Sequence, residues 1–145
     1  MGEAGKRELR SQFAALCYRM THGTPEILLV TSRRSRRWII PKGWPVDGIT
    51  PAGAAAQEAF EEAGVEGKIR DVCLGIYSYS KQIETGIALP CMVAVFPIKV
   101  KALHNKFPEA GERKRKWFAQ KKAAARVDEP ELRQIIRAFD PKLLK

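Results

Sequence analysis

The chain lacks the features that would send it to a membrane or an oxidising compartment. No apolar run approaches the roughly 20 residues of a spanning helix. The first residues, MGEAGKRELRSQ, contain no apolar h-region, so no secretory signal is expected. Met1-Gly2 is followed by Lys6 where a myristoylation pattern wants Ser or Thr. Cysteine is scarce: Cys17, Cys73 and Cys91 are widely spaced and form no CxxC pair. They read as small buried hydrophobes in a reducing compartment. Histidine is scarcer still. His22 and His104 lie in turn or loop contexts without a neighbouring acid or nucleophile pattern, so neither is assigned catalysis. Internal repeats and low-complexity segments are also missing. So is the aromatic-rich basic sheet of a dedicated RNA-binding domain, which argues against RNA as the main partner. A cytoplasmic globular protein is the expectation.

What remains is one domain of ordinary size. The 145 residues are 45% apolar and 29% charged, enough to bury a real core. About residues 1–10 read as a flexible N-terminal tail. Net charge is +10, a balance that favours polyanionic partners. The cations cluster: Arg33, Arg34, Arg36 and Arg37 in one group, Arg113 to Lys116 in a second, Lys121 and Lys122 just after.

Strand signals fall at 13–20, 26–31 and 37–40, the last ended by Pro41. Residues 43–48 are a glycine-containing loop. Thr50 then suits a helix N-cap, Pro51 the first helical position and Gly64 the C-terminal stop. Residues 66–80 hold a strand pair or one long bent strand, with Val72, Leu74 and Ile76 on one face and Cys73, Tyr77 and Tyr79 on the other. Residues 86–100 are a strand, 101–111 a loop and 115–119 a further strand. Helical signals follow at 121–126 and 129–139. In the last, Leu132, Ile135, Ile136 and Phe139 form a packing stripe. Strands, one helix, more strands and terminal helices predict an α/β fold with a mixed sheet and helices on its faces.

The helix over 50–64 carries the chemistry. Glu58, Glu61 and Glu62 lie at i, i+3 and i+4, which turns them toward one side. Like charges this close repel unless something positive arrives, and an oxygen-rich cluster suits a hard divalent ion. A solvated acidic face is the plainer reading of ExxEE alone.

The segment from Gly43 to Val65, GWPVDGITPAGAAAQEAFEEAGV, resembles the Nudix box. That pattern is G, five residues, E, seven residues, then R-E-U-x-E-E-x-G-U, with U aliphatic. Gly43, Glu58, Ala59, Glu61, Glu62, Gly64 and Val65 match it. Ile49 stands where the pattern has glutamate and Gln57 where it has arginine. The departures remove one acid and one base together. Arg37-Trp38-Ile39-Ile40-Pro41-Lys42-Gly43 looks like the strand that enters the box. Arg113-Lys114-Arg115-Lys116-Trp117-Phe118 is similar to a basic-aromatic strand of the diphosphoinositol polyphosphate phosphohydrolase branch.

The resemblance implies a single Nudix domain over 1–145 with an α/β/α sandwich. It implies Mg²⁺, with Mn²⁺ as the alternative ion. Glu61 and Glu62 would be metal ligands, Glu58 a ligand or the general base, and Gly43 a carbonyl donor. An extra acid outside the box would come from Glu84, Glu109 or Glu112. Arg34, Arg37, Lys42, Lys114 and Arg115 are candidates for gripping substrate phosphates. Trp38 and Trp117 read as core, whereas Trp44 has the better claim to line the site. The implied reaction is hydrolysis of a phosphoanhydride in a highly phosphorylated small molecule, such as diphosphoinositol polyphosphate or diadenosine polyphosphate. The competing reading is a catalytically weakened module that binds nucleotides or RNA. Retention of the three box carboxylates favours catalysis, because an acidic patch without metal would repel phosphate.

Overall fold

Period-two alternation in the strands sorts the apolar residues onto the two faces of a single sheet. The computed structural model describes residues 10–82 and 86–144; the expected N-terminal tail, apart from Arg10, lies outside them, as does Glu84. Eight strands form a mixed sheet. They are β1 (Arg10–Thr21), β2 (Thr24–Thr31), β3 (Trp38–Ile39), β4 (Lys42–Gly43), β5 (Val65–Ile69), β6 (Gly75–Gln82), β7 (Ala88–Leu103) and β8 (Arg115–Ala119). The β1–β7 pair is parallel and the other pairs are antiparallel.

On β1, Ala14, Leu16 and Tyr18 face one layer, while Ala15 and Cys17 face the other. On β2, Ile27 and Leu29 are opposed in the same way to Leu28 and Val30. Helix α1 (Pro51–Ala63) covers the second face through Ala52, Ala55, Ala59 and Ala63, whose small side chains let it lie close to the sheet. Helices α2 (Gln120–Arg126) and α3 (Pro130–Ala138) cover the first through Ala123, Ala124, Leu132 and Ile136. The expected α/β/α sandwich is the observed one, and the stripe on α3 is core.

One irregularity in the sheet positions the site. β1 and β2 pair from Thr21–Thr24 to Cys17–Leu28 and then diverge. The segment 38–43 fills the gap. Ile39 pairs with Val30 on one side; Lys42 pairs with Ala14 and Gly43 with Phe13 on the other. Between them, Ala15 N–H donates to Pro41 O at 3.0 Å. The residues just before the loop are thereby held inside the sheet, beneath α1.

Two local expectations change, and the open alternative at 66–80 resolves to two strands. The strand expected to enter the box is split at Ile40 and Pro41, so that Lys42 and Gly43, the latter also read as the start of the loop, form a second short strand. Residues 66–80 are two strands in series along the same edge of β7, ending at Ile69↔Ile98 and resuming at Gly75↔Val95. The interruption at 70–74 upsets the expected facing: Val72, Cys73 and Ile76 are exposed, while Tyr77 is buried. Cys73 is therefore not a buried hydrophobe, unlike Cys17 and Cys91. Trp38 packs edge-on against Phe118 at 5.0 Å, and Trp117 packs on the α1 face. No helix among the described residues is long and apolar enough to cross a membrane.

Candidate functional site

Helix α1 begins and ends where its caps dictate. Thr50 Oγ1 accepts from Gly53 N–H at 3.0 Å, a bond worth about 1 kcal/mol in such positions. Pro51 opens the helix with a pre-set φ. Gly64 ends it in the left-handed region, φ 69°, and its N–H donates to Phe60 O at 2.8 Å. A side chain there would also strike His104 O, Phe107 and the Arg115 guanidinium.

The loop after β7 is built onto the end of this helix. His104 N–H donates to Gly64 O at 2.8 Å and Glu109 N–H to Glu61 O at 3.0 Å. Arg115 Nη1 donates to Ala63 O at 2.6 Å and His104 O at 2.8 Å; its Nη2 reaches Asn105 Oδ1 at 3.0 Å. Carbonyls that α1 cannot satisfy internally are met from outside, by a cation that also suits the negative end of the helix.

This docking assembles the acidic centre. Glu62 is buried, with Oε1 lacking any hydrogen-bond partner. Its carboxyl interacts directly with that of half-buried Glu58. Burial pushes Glu62 up to about 8, against the pull of Arg113 and Lys42; the Glu58 charge adds to the rise. Burial raises Glu58 too, helped by Glu61 and Glu109. Two acids in this state share a proton. Glu58 also presses on the loop strand: a Cβ on Gly43 would overlap its carboxyl. Only glycine lets the backbone come so near.

Cations flank the pair from two directions. Lys42 comes from the sheet, with Nζ 4.8 Å from the Tyr79 ring centroid. Burial lowers its proton affinity, and Glu62 and Glu129 partly restore it. Arg113 comes from the loop before β8, with only 9% of its side chain exposed. It donates to Glu109 Oε1 at 2.8 Å and Thr31 O at 3.1 Å, and lies 3.8 Å from Glu62 Oε2.

The structure thus puts Gly43 against Glu58 and Glu58 beside Glu62, leaves Glu61 and Lys42 acting on them by charge, and adds Glu109 from outside the box through Arg113. Glu112 instead pairs with Arg33 at the rim, at 3.2 Å. Arg34 and Lys114 are exposed. Arg37 is held by Glu129 at 3.0 Å and Asp128 at 3.5 Å, at the start of α3. Arg115 caps α1 as described, so its guanidinium is engaged by the protein itself. Trp44, next to Gly43 in the chain, is 40% exposed. His104, expected to lack an acid, meets Glu66 at 2.7 Å in an exposed pair away from the carboxylates.

Sequence reasoning noted Arg113 within its cluster but did not single it out. Strand parity is the signal that finds it. Trp117 faces α1, so 115 and 113 point the same way and 114 and 116 point away.

The donors suit a hard divalent cation. Glu62 Oε1 is buried without a donor, the carboxyls share a proton that a cation can displace, and all are oxygen. Among the described residues, no three such groups yet converge on one point.

The family model of the NUDIX domain matches residues 9–139. The chain belongs to this family. It is 35% identical to Nudix hydrolase 12, mitochondrial, of Arabidopsis thaliana over 68% of its own length and 50% of that protein. It is 32% identical to diphosphoinositol polyphosphate phosphohydrolase 3-alpha of Mus musculus, over 75% of this chain and 63% of that one. The chain therefore spans about half to under two thirds of these curated relatives. Its fold matches a C. elegans Ap4A hydrolase binary complex with TM-score 0.67 and 21% identity, covering 94% of this chain and 98% of the other.

Proposed function

We propose that this chain hydrolyses a phosphoanhydride bond in a highly phosphorylated small molecule, using Mg²⁺ or Mn²⁺. The observation that carries this reading is the Glu58–Glu62 pair on the sheet-facing side of α1, with Glu58 packed against Gly43 and one buried Glu62 oxygen unpartnered. A solvated acidic face would have neither burial nor a backbone seat.

Glu58, Glu61 and Glu62, with the Gly43 carbonyl and Glu109, would hold the ion. Bound there, it would neutralise charge on the phosphoryl oxygens and acidify a water. Glu58 serves either as a ligand or as the general base; its carboxyl is half-buried, and burial raises its proton affinity. Lys42 is a partly buried cation whose charge acts on Glu62 and Glu129, and it is our candidate to meet a phosphoryl oxygen. Arg34 and Lys114 supply exposed positive charge that attracts a polyanion to this end of the molecule. Arg37, held by α3, shapes the rim.

The net charge of +10 and the similarity to a diphosphoinositol polyphosphate phosphohydrolase both support substrates with many phosphates. Diphosphoinositol polyphosphates and diadenosine polyphosphates are the classes to test first. Phosphate or nucleotide release from both, beside nucleoside triphosphates and nucleotide sugars, ranks them. Turnover fastest on the most highly phosphorylated members supports the proposal. Tight polyanion binding with no turnover on any of them would leave a binding module.

A further inference from the structure

The acidic centre gathers Glu58, Glu61, Glu62 and Glu109, and carboxylates this close repel one another. Lys42 offsets part of that from the sheet side. The rest falls to Arg113. It is the cation nearest Glu62 on the helix side, with 9% of its side chain exposed. Its Nε is fixed on Glu109 and its Nη1 on Thr31 O, which leaves Nη2 against Glu62 at 3.8 Å. That last distance is too long for a good hydrogen bond, so the contact is one of charge. Glu62 is satisfied electrostatically while its Oε1 stays free of any donor.

On the metal-dependent reading given above, we propose that Arg113 is the built-in counter-ion of this centre. It holds Glu62 and Glu109 in place when no metal is bound, and it competes with the divalent ion for their charge. Arg113 is a positioning residue: it keeps the unloaded centre folded and sets the metal affinity below what the carboxylates alone would give. The box arginine is absent, Gln57 is exposed, and no charge on α1 itself performs this task.

The two roles have opposite signs, which separates them from simple bracing. A brace, when removed, weakens the loaded and the unloaded protein equally. A counter-ion, when removed, destabilises the unloaded form and tightens metal binding.

The test uses the full chain stripped with EDTA, Mn²⁺ and Mg²⁺ affinities by calorimetry, and melting in EDTA and in saturating ion. Arg113→Met removes the charge and keeps the apolar stem. It should bind the ion about tenfold tighter, the scale expected when one cation leaves the neighbourhood of a divalent ion. It should melt several degrees lower in EDTA, and the gap between EDTA and saturating ion should widen. Arg113→Lys keeps the charge and should stay within about threefold of wild-type affinity. Arg126→Met, a remote surface cation, should leave affinity unchanged and so excludes a net-charge effect. Folding of Arg113→Met only when the ion is present also supports the proposal. Failure to fold either way, equal melting losses with unchanged affinity, or weaker metal binding would each overturn it. Wild-type protein that binds no divalent ion would remove the metal-dependent reading as well. Wild-type binding with an unaltered Arg113→Met removes this proposal alone.

Discussion

Gly43 and Glu58 occupy one another's space: a methyl group on the glycine would overlap the glutamate carboxyl. The two residues come from different elements, one wedged into the sheet and one on the helix above it. Their contact ties the loop to the acidic face. Gly43 does not have a left-handed backbone, so its requirement is for space and not for φ.

Gly43→Ala should therefore displace Glu58 and leave the fold intact. A misplacement of about an ångström in a catalytic constellation costs on the order of a hundredfold. We expect kcat to drop by about that factor, with a melting temperature close to wild type. A variant that loses its fold along with its activity would contradict this.

Glu109 and Glu112 separate by location. Glu109 is joined to α1 through Glu61 and to Arg113, whereas Glu112 pairs with Arg33 at the rim. Glu109→Gln should lower kcat by about ten- to a hundredfold, the usual range for a group that supports metal ligands. Glu112→Gln should stay within about twofold. Comparable losses in both, by steady-state phosphate release, would remove the assignment.

Arg115 caps α1 through Ala63 O and His104 O. Its removal leaves carbonyls without a donor. Arg115→Ala should destabilise the protein by about 1–3 kcal/mol in urea denaturation. A loss of substrate affinity at unchanged stability would instead make Arg115 a phosphate ligand.

The buried pair imposes a pH dependence. Glu62 in the folded protein is raised to about 8 from an ordinary 4.5. The folded state thus keeps a proton that the unfolded chain has lost between those values. The stability this provides is complete below about 4.5 and disappears as pH rises through about 8. Metal-free protein should melt progressively lower across that window. Saturating Mg²⁺ or Mn²⁺ should flatten the trend, because the ion takes the place of the proton. A melting profile that rises with pH in EDTA would contradict the shared-proton account.

Much of the fold was legible locally. The helix over 50–64 announces itself by Thr50, Pro51 and Gly64, and the strands by alternation, because both signals act within a few residues. Its acid spacing marked the centre for the same reason. The rest depended on pairing across the chain. The resemblance carried a strand up to Gly43, but nothing near Lys42 or Gly43 says that they pair with Phe13 and Ala14 separately from Trp38 and Ile39. The loop expected at 101–111 looked like a bare connection, yet β7 runs on to Leu103 and the residues after it meet the carbonyls of Glu61, Ala63 and Gly64. Arg115 was read as a phosphate ligand and Arg113 only as part of a cluster; both point toward α1, and the docking of the loop after β7 gives Arg113 to the acids and Arg115 to the helix end. Cys73 misled because an interrupted strand breaks the alternation that its facing was read from.

The central claim is that the acidic face acts through a divalent ion to break a phosphoanhydride. The most direct measurement titrates Mg²⁺ into wild type and Glu62→Gln while following phosphate release from a diphosphoinositol or diadenosine polyphosphate. The account predicts saturable activation of wild type, none in EDTA, and a loss of at least a hundredfold in Glu62→Gln, on the scale of a removed metal ligand. Release that persists in EDTA, or a Glu62→Gln variant as active as wild type, would contradict it.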